Sequence, residues 1–247
     1  MSVANTDLVI YTASGMPENN TSIVGGDINS GIRASFDDPS SSSTIIIYSS
    51  SGTDTSQNLT LAGRADGGTI ISESLALNGT SNVNSVYTYN RILTASLDAI
   101  AVGNITVSGN GVNKITDIPV GESGFRRPFY DATASADTAK TYYEKVFIKN
   151  NNTSSNLTDA QVIEVNSGLA SKISFGLEDT KKSNQTIDNR EAVPTGITGG
   201  FGAGPSGIMN DVLNTGDYQG VWFKLSLDAE EASINSFYEV QVSGTTV

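Results

Sequence analysis

An all-β protein of two β-sandwich domains, immunoglobulin-like or jelly-roll-like and joined by a short linker, is the fold the sequence predicts. Three observations predict it. Short β-branched or alternating apolar runs recur along the chain between clusters of Gly, Asn, Asp and Ser, as in antiparallel sandwiches. No segment carries a convincing long amphipathic helix. Midway, Gly124-Phe125-Arg126-Arg127-Pro128-Phe129-Tyr130 gathers two arginines, a proline and three aromatics in a chain that is otherwise acidic and rich in Ser, Thr and Asn. At about 100–150 residues per domain, that stretch divides the 247 residues into an N-terminal sandwich or barrel, 1–125, and a C-terminal sandwich, 126–247.

Each element has its own signal. Residues 7–11 form a short apolar run ended by Ser14-Gly15-Met16-Pro17, an opening strand and turn. Residues 19–31 are polar and glycine-dotted and are expected to be a long surface loop, with a strand at 32–36. Ile45-Ile46-Ile47-Tyr48 is a strand on β-branched content. Residues 57–63 and 69–77 flank Ala65-Asp66-Gly67-Gly68, which supplies the positive φ of a tight hairpin turn; Leu75 and Leu77 face inward and Glu73 marks a rim. After a second turn at 78–80, residues 85–97 read as one long strand with Tyr87, Tyr89, Leu93 and Leu97 on one parity, followed by strands at 102–107 and 114–120.

Beyond the joint, residues 131–140 read as linker or one helical turn, and residues 142–149 and 160–165 as two strands. Ile173, Phe175 and Leu177 alternate with Lys172, Ser174, Gly176 and Glu178, the pattern of a strand with one face toward solvent. Residues 179–193 and 198–207 are expected to be loops. In 220–228, Val221, Phe223, Leu225 and Leu227 point inward, with Trp222, Lys224, Ser226 and Asp228 outward. A strand at 237–243 closes the chain, and 229–235 has room for a helical turn.

Composition excludes much chemistry. The chain has no Cys and no His, which removes disulfides, thiolate zinc sites, cysteine nucleophiles and the commonest general base and metal ligand. No cofactor is expected. The formal charge is −12, divided as −7 (4 Lys/Arg against 11 Asp/Glu) before Arg126 and −5 (10 against 15) from it onward. So acidic a surface repels phosphate backbones and anionic lipid, so neither nucleic acid nor a membrane is expected as a partner. Residues 1–7 show no basic segment followed by an apolar run, so no signal peptide is expected.

Local context decides what each candidate motif can do. Gly202-Ala203-Gly204-Pro205-Ser206-Gly207 matches G-x-G-x-x-G, but no apolar strand leads in, no helix of adequate length follows, and Pro205 sits inside the turn whose amides would hold a pyrophosphate. Residues 27–31 approach a calcium loop without its bidentate Glu. Glu73, Asp98, Glu164 and Glu239 lie in strand patterns, and nothing in the sequence pairs them across a cleft as glycoside hydrolysis requires. Candidate interface residues are Phe125, Arg126, Arg127, Phe129, Tyr130 and Trp222. The two arginines suit either a partner's carboxylate or an ion pair with the chain's own acidic surface. Trp222 suits either a partner surface or a cover formed by the chain's own loop, the glycine-rich stretch upstream being the candidate.

Several phrases resemble a recurrent type of tailed-bacteriophage virion protein with two β-domains. They are Leu59-Thr-Leu-Ala-Gly-Arg64, Gly67-Gly-Thr-Ile-Ile-Ser-Glu-Ser-Leu-Ala-Leu-Asn-Gly-Thr80, Tyr89-Asn-Arg-Ile-Leu93, Gly121-Glu-Ser-Gly-Phe-Arg-Arg127, Tyr143-Glu-Lys-Val-Phe-Ile-Lys-Asn150, Asn189-Arg-Glu-Ala-Val-Pro-Thr-Gly196 and Gly220-Val-Trp-Phe-Lys224. The resemblance implies a non-enzymatic structural protein assembled in the host cytoplasm and located in the virion. Its expected role is capsid decoration, as a cement protein bound to the major capsid protein and present as a homo-oligomer in the particle. A neck, tail or baseplate subunit is the alternative, and a carbohydrate-binding adhesin a further one. No catalytic residue is carried over.

Overall fold

A computed structural model describes residues 2–110, 113–130, 132–168, 172–208, 211–231 and 238–246. Strands dominate them, and a single turn of 3-10 helix, Asn5–Asp7, precedes the first. The chain opens with β1 (Leu8–Gly15) and β2 (Val24–Arg33). It continues through β3 (Ser43–Ser49), β4 (Asn58–Arg64), β5 (Ile70–Ala76), β6 (Val83–Tyr89), β7 (Arg91–Leu97), β8 (Ile105–Gly109), β9 (Asn113–Ile118) and β10 (Gly124–Arg126). Then follow β11 (Lys140–Asn150), β12 (Leu157–Ser167), β13 (Ile173–Lys181), β14 (Thr186–Ile187), β15 (Ile197–Gly202), β16 (Ser206–Gly207), β17 (Val212–Leu213), β18 (Tyr218–Leu227) and β19 (Tyr238–Thr246).

Two compact units emerge, Met1–Asn29 with Pro128–Val247, and Ser30–Arg127. The C-terminal boundary of the inserted unit lies within the arginine-aromatic stretch. The first 29 residues, however, belong with the second half of the chain, unlike the expected 1–125 and 126–247 division. The reason is strand pairing: β1 runs antiparallel to β11, with Leu8 opposite Asn150 and Thr12 opposite Val146. Periodicity marks a strand without saying which distant strand will take its hydrogen bonds.

In the inserted unit, one ladder runs from the end of β2 through β10, β7 and β4 to β5, and a second sheet has the order β6-β3-β8-β9. The hairpin expected over 57–77 is present, with Arg64 opposite Ile70 and Asn58 opposite Ala76. The long strand expected over 85–97 is two strands in different sheets, β6 beside β3 and β7 beside β4, separated by a bend at Asn90. Tyr89 and Leu93 stay buried, while Tyr87 on the same parity is exposed. Both sheets feed one apolar cluster that includes Ile45, Ile47, Ile105 and Val107 from one side and Leu59, Leu61, Ile92 and Phe125 from the other. Each such side chain contributes about 1.5–3 kcal/mol when fully buried. A fully buried carboxylate, Asp54, accepts from Ser49 Oγ at 2.5 Å, the Val102 amide at 2.8 Å, the Gly103 amide at 2.9 Å and Gln57 Nε2 at 3.3 Å. A buried anion is tolerated only with such donors.

In the other unit, one ladder has the order β15-β13-β18-β11-β1-β2, with β14 on β2, and a second has β12 between β16/β17 and β19. The loop expected at 19–31 is largely strand β2. Its sequence, Val-Gly-Gly-Asp-Ile-Asn-Ser-Gly-Ile-Arg, lacks alternation because main-chain pairing holds it. Gly25, at φ +102°, packs where a Cβ would strike Gln185 O and the Trp222 ring. The stretches expected as loops at 179–193 and 198–207 hold the end of β13 and the short strands β14, β15 and β16. Phe237 and residues 232–235, part of the last expected strand and helical turn, lie outside the described residues, as does Asp131.

β11 and β18 are covered on both faces. Residues 142–148 are all buried, charges included. Lys145 Nζ lies 2.8 Å from Glu178 Oε1 and donates to the carbonyls of Ser183 (2.9 Å), Gly26 (3.2 Å) and Gln185 (3.3 Å). Trp222 Nε1 donates to the same Glu178 oxygen at 3.0 Å. Glu144 pairs with Arg190, both fully buried, and Arg190 also donates to Pro17 O and to Asn20 Oδ1. Glu178, expected outward, is thus inward and paired: residues 183–187 and β2 cover the face that alternation assigned to water.

Candidate interaction site

The arginine-aromatic stretch is built into both units, one part in each. Phe125 is fully buried on β10, its ring 4.5 Å from that of Phe36. It is core, not interface, because β10 lies between β7 and the end of β2 and turns its side chain inward. Arg126 is half-buried opposite Thr94. Arg127 belongs to the inserted unit: its amide donates to Leu93 O at 2.8 Å, Nε to Ile92 O at 3.0 Å, and Nη2 to Asp38 Oδ1 at 2.6 Å. Its guanidinium lies 4.7 Å from the centre of the Phe36 ring. Past Pro128, Phe129 belongs to the other unit, at φ +56°, with its amide 2.7 Å from Glu144 Oε2. Phe129 and Tyr130 are half-buried.

Trp222 is fully buried among Val24, Tyr143 and Ile187, with Ile197 and Phe201 packed against them. As a partner anchor it is therefore corrected. Its cover is the chain's own, and Phe201 of the glycine-rich stretch contributes to it. The remaining G-x-G-x-x-G residues form the end of β15, a cis Gly204–Pro205 peptide and β16.

Two of the strand carboxylates, Glu73 and Asp98, have structural duties. Glu73 accepts from the amides of Val86 (2.8 Å) and Tyr87 (3.4 Å) and from Tyr89 Oη (2.9 Å). Asp98 accepts from the amide and side chain of Asn58 at 2.9 and 2.8 Å. Residues 27–31, the nearest approach to a calcium loop, are extended within β2.

Two displays of apolar side chains on the inserted unit were not legible beforehand. On β6 a register shift sets Ser85, Val86 and Tyr87 out of line with β3. Ser85 Oγ accepts from the Ile45 amide at 2.8 Å and donates to Tyr87 O at 2.7 Å, while Glu73 holds the amides. The result is a bulge pinned from both sides, with Val86 84% and Tyr87 47% exposed. Elsewhere, Ile100, Val102 and Val120 are each half or more exposed. Their backbone is held by Asp54 at Val102 and by Asn104 Oδ1 at the Val120 amide, 3.0 Å. Val86 breaks the parity of its neighbours, the one sequence signal that could have marked it.

A third feature is a cluster of guanidinium groups. Arg64 and Arg91 face each other as direct cross-strand partners on β4 and β7. Arg91 Nε stands 3.9 Å from Asp38 Oδ2, the carboxylate that also receives Arg127. Burial, only partly offset by Asp38, pushes the Arg127 guanidinium down to about 10 and lowers Arg91 as well.

No protein-family model, no curated protein and no solved structure matches the chain. Among the described residues, no helix is long and apolar enough to cross a membrane.

Proposed function

We propose that the chain is a non-enzymatic structural subunit of a tailed-bacteriophage particle, assembled in the host cytoplasm into the virion. In this reading it decorates and cements the capsid, binding the major capsid protein and further copies of itself. Each compact unit is read as a β-sandwich. The class of particle rests on the sequence phrases that resemble virion proteins. The observation that carries the contact role is the pinned display of Val86, Val102 and Val120, exposed aliphatic side chains on backbone already held by hydrogen bonds, with Ile100 exposed beside Val102 in the chain. Preorganised apolar groups lose little conformational entropy on docking, and in a repeated lattice a modest contact is multiplied by copy number.

A carbohydrate-binding adhesin would need an aromatic platform. Trp222 and Tyr143 are buried and Tyr87 is exposed, so the three aromatics do not form one. The test is binding of the purified protein to expanded empty heads: association, with increased resistance of the heads to heat or chelation, is the expected result. Co-purification with tails and not heads would replace decoration by a neck, tail or baseplate role.

A further inference from the structure

We infer that β19 is a self-association edge, along which two copies of this chain pair antiparallel about a two-fold axis through Val242. The inference needs nothing from the particle reading, although it would supply the contact between copies which that reading includes. β19 lies at one side of its sheet, and among the described residues its ladder partner is β12 alone. On β12 the Ala160 carbonyl accepts from the Ile208 amide and the Glu164 amide donates to Ala203 O, so the even-numbered backbone groups there turn away from β19. Gln161 and Ile163 turn toward it, opposite Ser243 and Gln241. The amides and carbonyls of Val240 and Val242 are thereby left at the free edge.

Nothing in the strand guards that edge. Both register shifts in the pair put the extra residue in β12, so β19 itself runs without a bulge. It also lacks proline, lysine and arginine, which blunt exposed edges elsewhere. The edge strand β6 is the contrast, because Glu73 occupies its Val86 and Tyr87 amides. The strand's own sequence names the occupant. In a two-fold contact, residue i meets j and j meets i. Centred on Val242, all nine residues of Tyr238–Thr246 find partners: Val242 meets its own copy, Val240 meets Gly244, Tyr238 meets Thr246, Gln241 meets Ser243 and Glu239 meets Thr245. Glu239, the one charge of the strand, therefore faces a hydroxyl and not its own copy. Even-numbered residues meet even-numbered ones, so the half-buried Tyr238, Val240 and Val242 share one face across the axis, and the exposed Glu239, Gln241 and Thr245 share the other. One sheet then continues through both copies.

Sedimentation equilibrium of the full chain tests this, with Trp222 fluorescence as the check on folding. A monomer–dimer equilibrium is expected. Thr245→Glu sets two like-charge pairs across the axis and should raise the dimer dissociation constant about tenfold, whereas Thr245→Lys, opposite Glu239, should lower it. Thr245 is exposed, so neither change should disturb the fold. In a chain without cysteine, Val242→Cys should be trapped as a disulfide dimer under mild oxidation. A hydrogen-bonded antiparallel pair holds its Cα atoms about 5.5 Å apart, within disulfide reach. Thr60→Cys, exposed on β4 between the paired strands β5 and β7, should cross-link far more slowly. A chain that is monomeric at every concentration, a dimer that the two Thr245 variants leave unchanged or shift in the same direction, or equal cross-linking at positions 242 and 60 would each overturn the inference. The particle reading fails separately: a monomer that binds heads leaves it standing without this contact, and a dimer with no affinity for heads leaves this contact standing without it.

Discussion

The two compact units solve the problem of an interior in opposite ways. The inserted unit packs aliphatic side chains from both sheets; its fully buried carboxylate, Asp54, is satisfied by neutral donors, and its buried Glu122 pairs with the partly exposed Arg33. The discontinuous unit runs two ion pairs, Lys145–Glu178 and Glu144–Arg190, through its interior and seals the first beneath its tryptophan. Aliphatic packing needs only volume and pattern, so it can be assembled from alternating strands. Buried ion pairs demand exact partners, and they tie segments distant in sequence: Lys145 holds carbonyls at Gly26, Ser183 and Gln185, and Arg190 reaches Pro17. That suits a unit made of two separate pieces of chain.

The largest effect should come from leaving one of those charges alone. Lys145→Met strands Glu178 in the interior and should cost about 3–5 kcal/mol, whereas Lys145→Met with Glu178→Leu should recover most of that loss. Trp222 is the only tryptophan and is bonded to Glu178, so urea unfolding followed by its fluorescence reads this unit. A single variant that loses under about 1 kcal/mol would remove the contrast between the units. Next in size, Gly220→Ala places a methyl against Glu178 Oε2 and should cost about 1–3 kcal/mol by overpacking.

In the inserted unit, Asp54→Asn weakens a set of bonds to an anion and should cost about 1–3 kcal/mol. Hydrogen exchange should quicken at the Val102 and Gly103 amides while the Trp222 transition stays where it was; unchanged exchange would show that the carboxylate is dispensable. The two buried carboxyls Asp54 and Glu178 should contribute to stability against pH with opposite sign. Burial alone raises the Asp54 carboxyl, but Ser49, the Val102 and Gly103 amides and Gln57 outweigh it and bring it below its ordinary 3.8. Its contribution is therefore complete above pH 3.8 and lost as pH falls through the folded value. Desolvation raises Glu178 above its ordinary 4.5 despite Lys145 and Trp222, so the contribution of this group falls as pH rises from 4.5 toward the folded value. Urea midpoints across this range should show Asp54→Asn reducing the loss of stability at acid pH and Glu178→Gln removing a loss that grows as pH rises above 4.5; a pH dependence unchanged by either substitution would contradict the environments described. The smallest effect on folding belongs to Val102→Ser, within about 0.5 kcal/mol, although under the proposed function it should reduce binding to heads.

Much of the strand content was legible, including the Asp-Gly-Gly hairpin and the triple isoleucine of β3, because β-branched runs and turn residues act locally. Strand β2 was not, since its polar, glycine-rich sequence is held by backbone pairing to distant strands. Of the candidate site, Arg127 was visible as an oddity of charge, but Arg64 and Arg91 were ordinary strand residues until β4 and β7 came into register.

Composition and alternation were enough to specify an all-β chain and the lack of Cys and His chemistry. Which faces of β13 and β18 meet water, where residues 1–29 belong, and which charges pair inside depended on the folded chain. Alternation assigns a side chain to one face of a strand; whether that face is covered depends on segments far away in sequence. Those segments buried Trp222 and Glu178 together, on a side that period two alone had left to solvent.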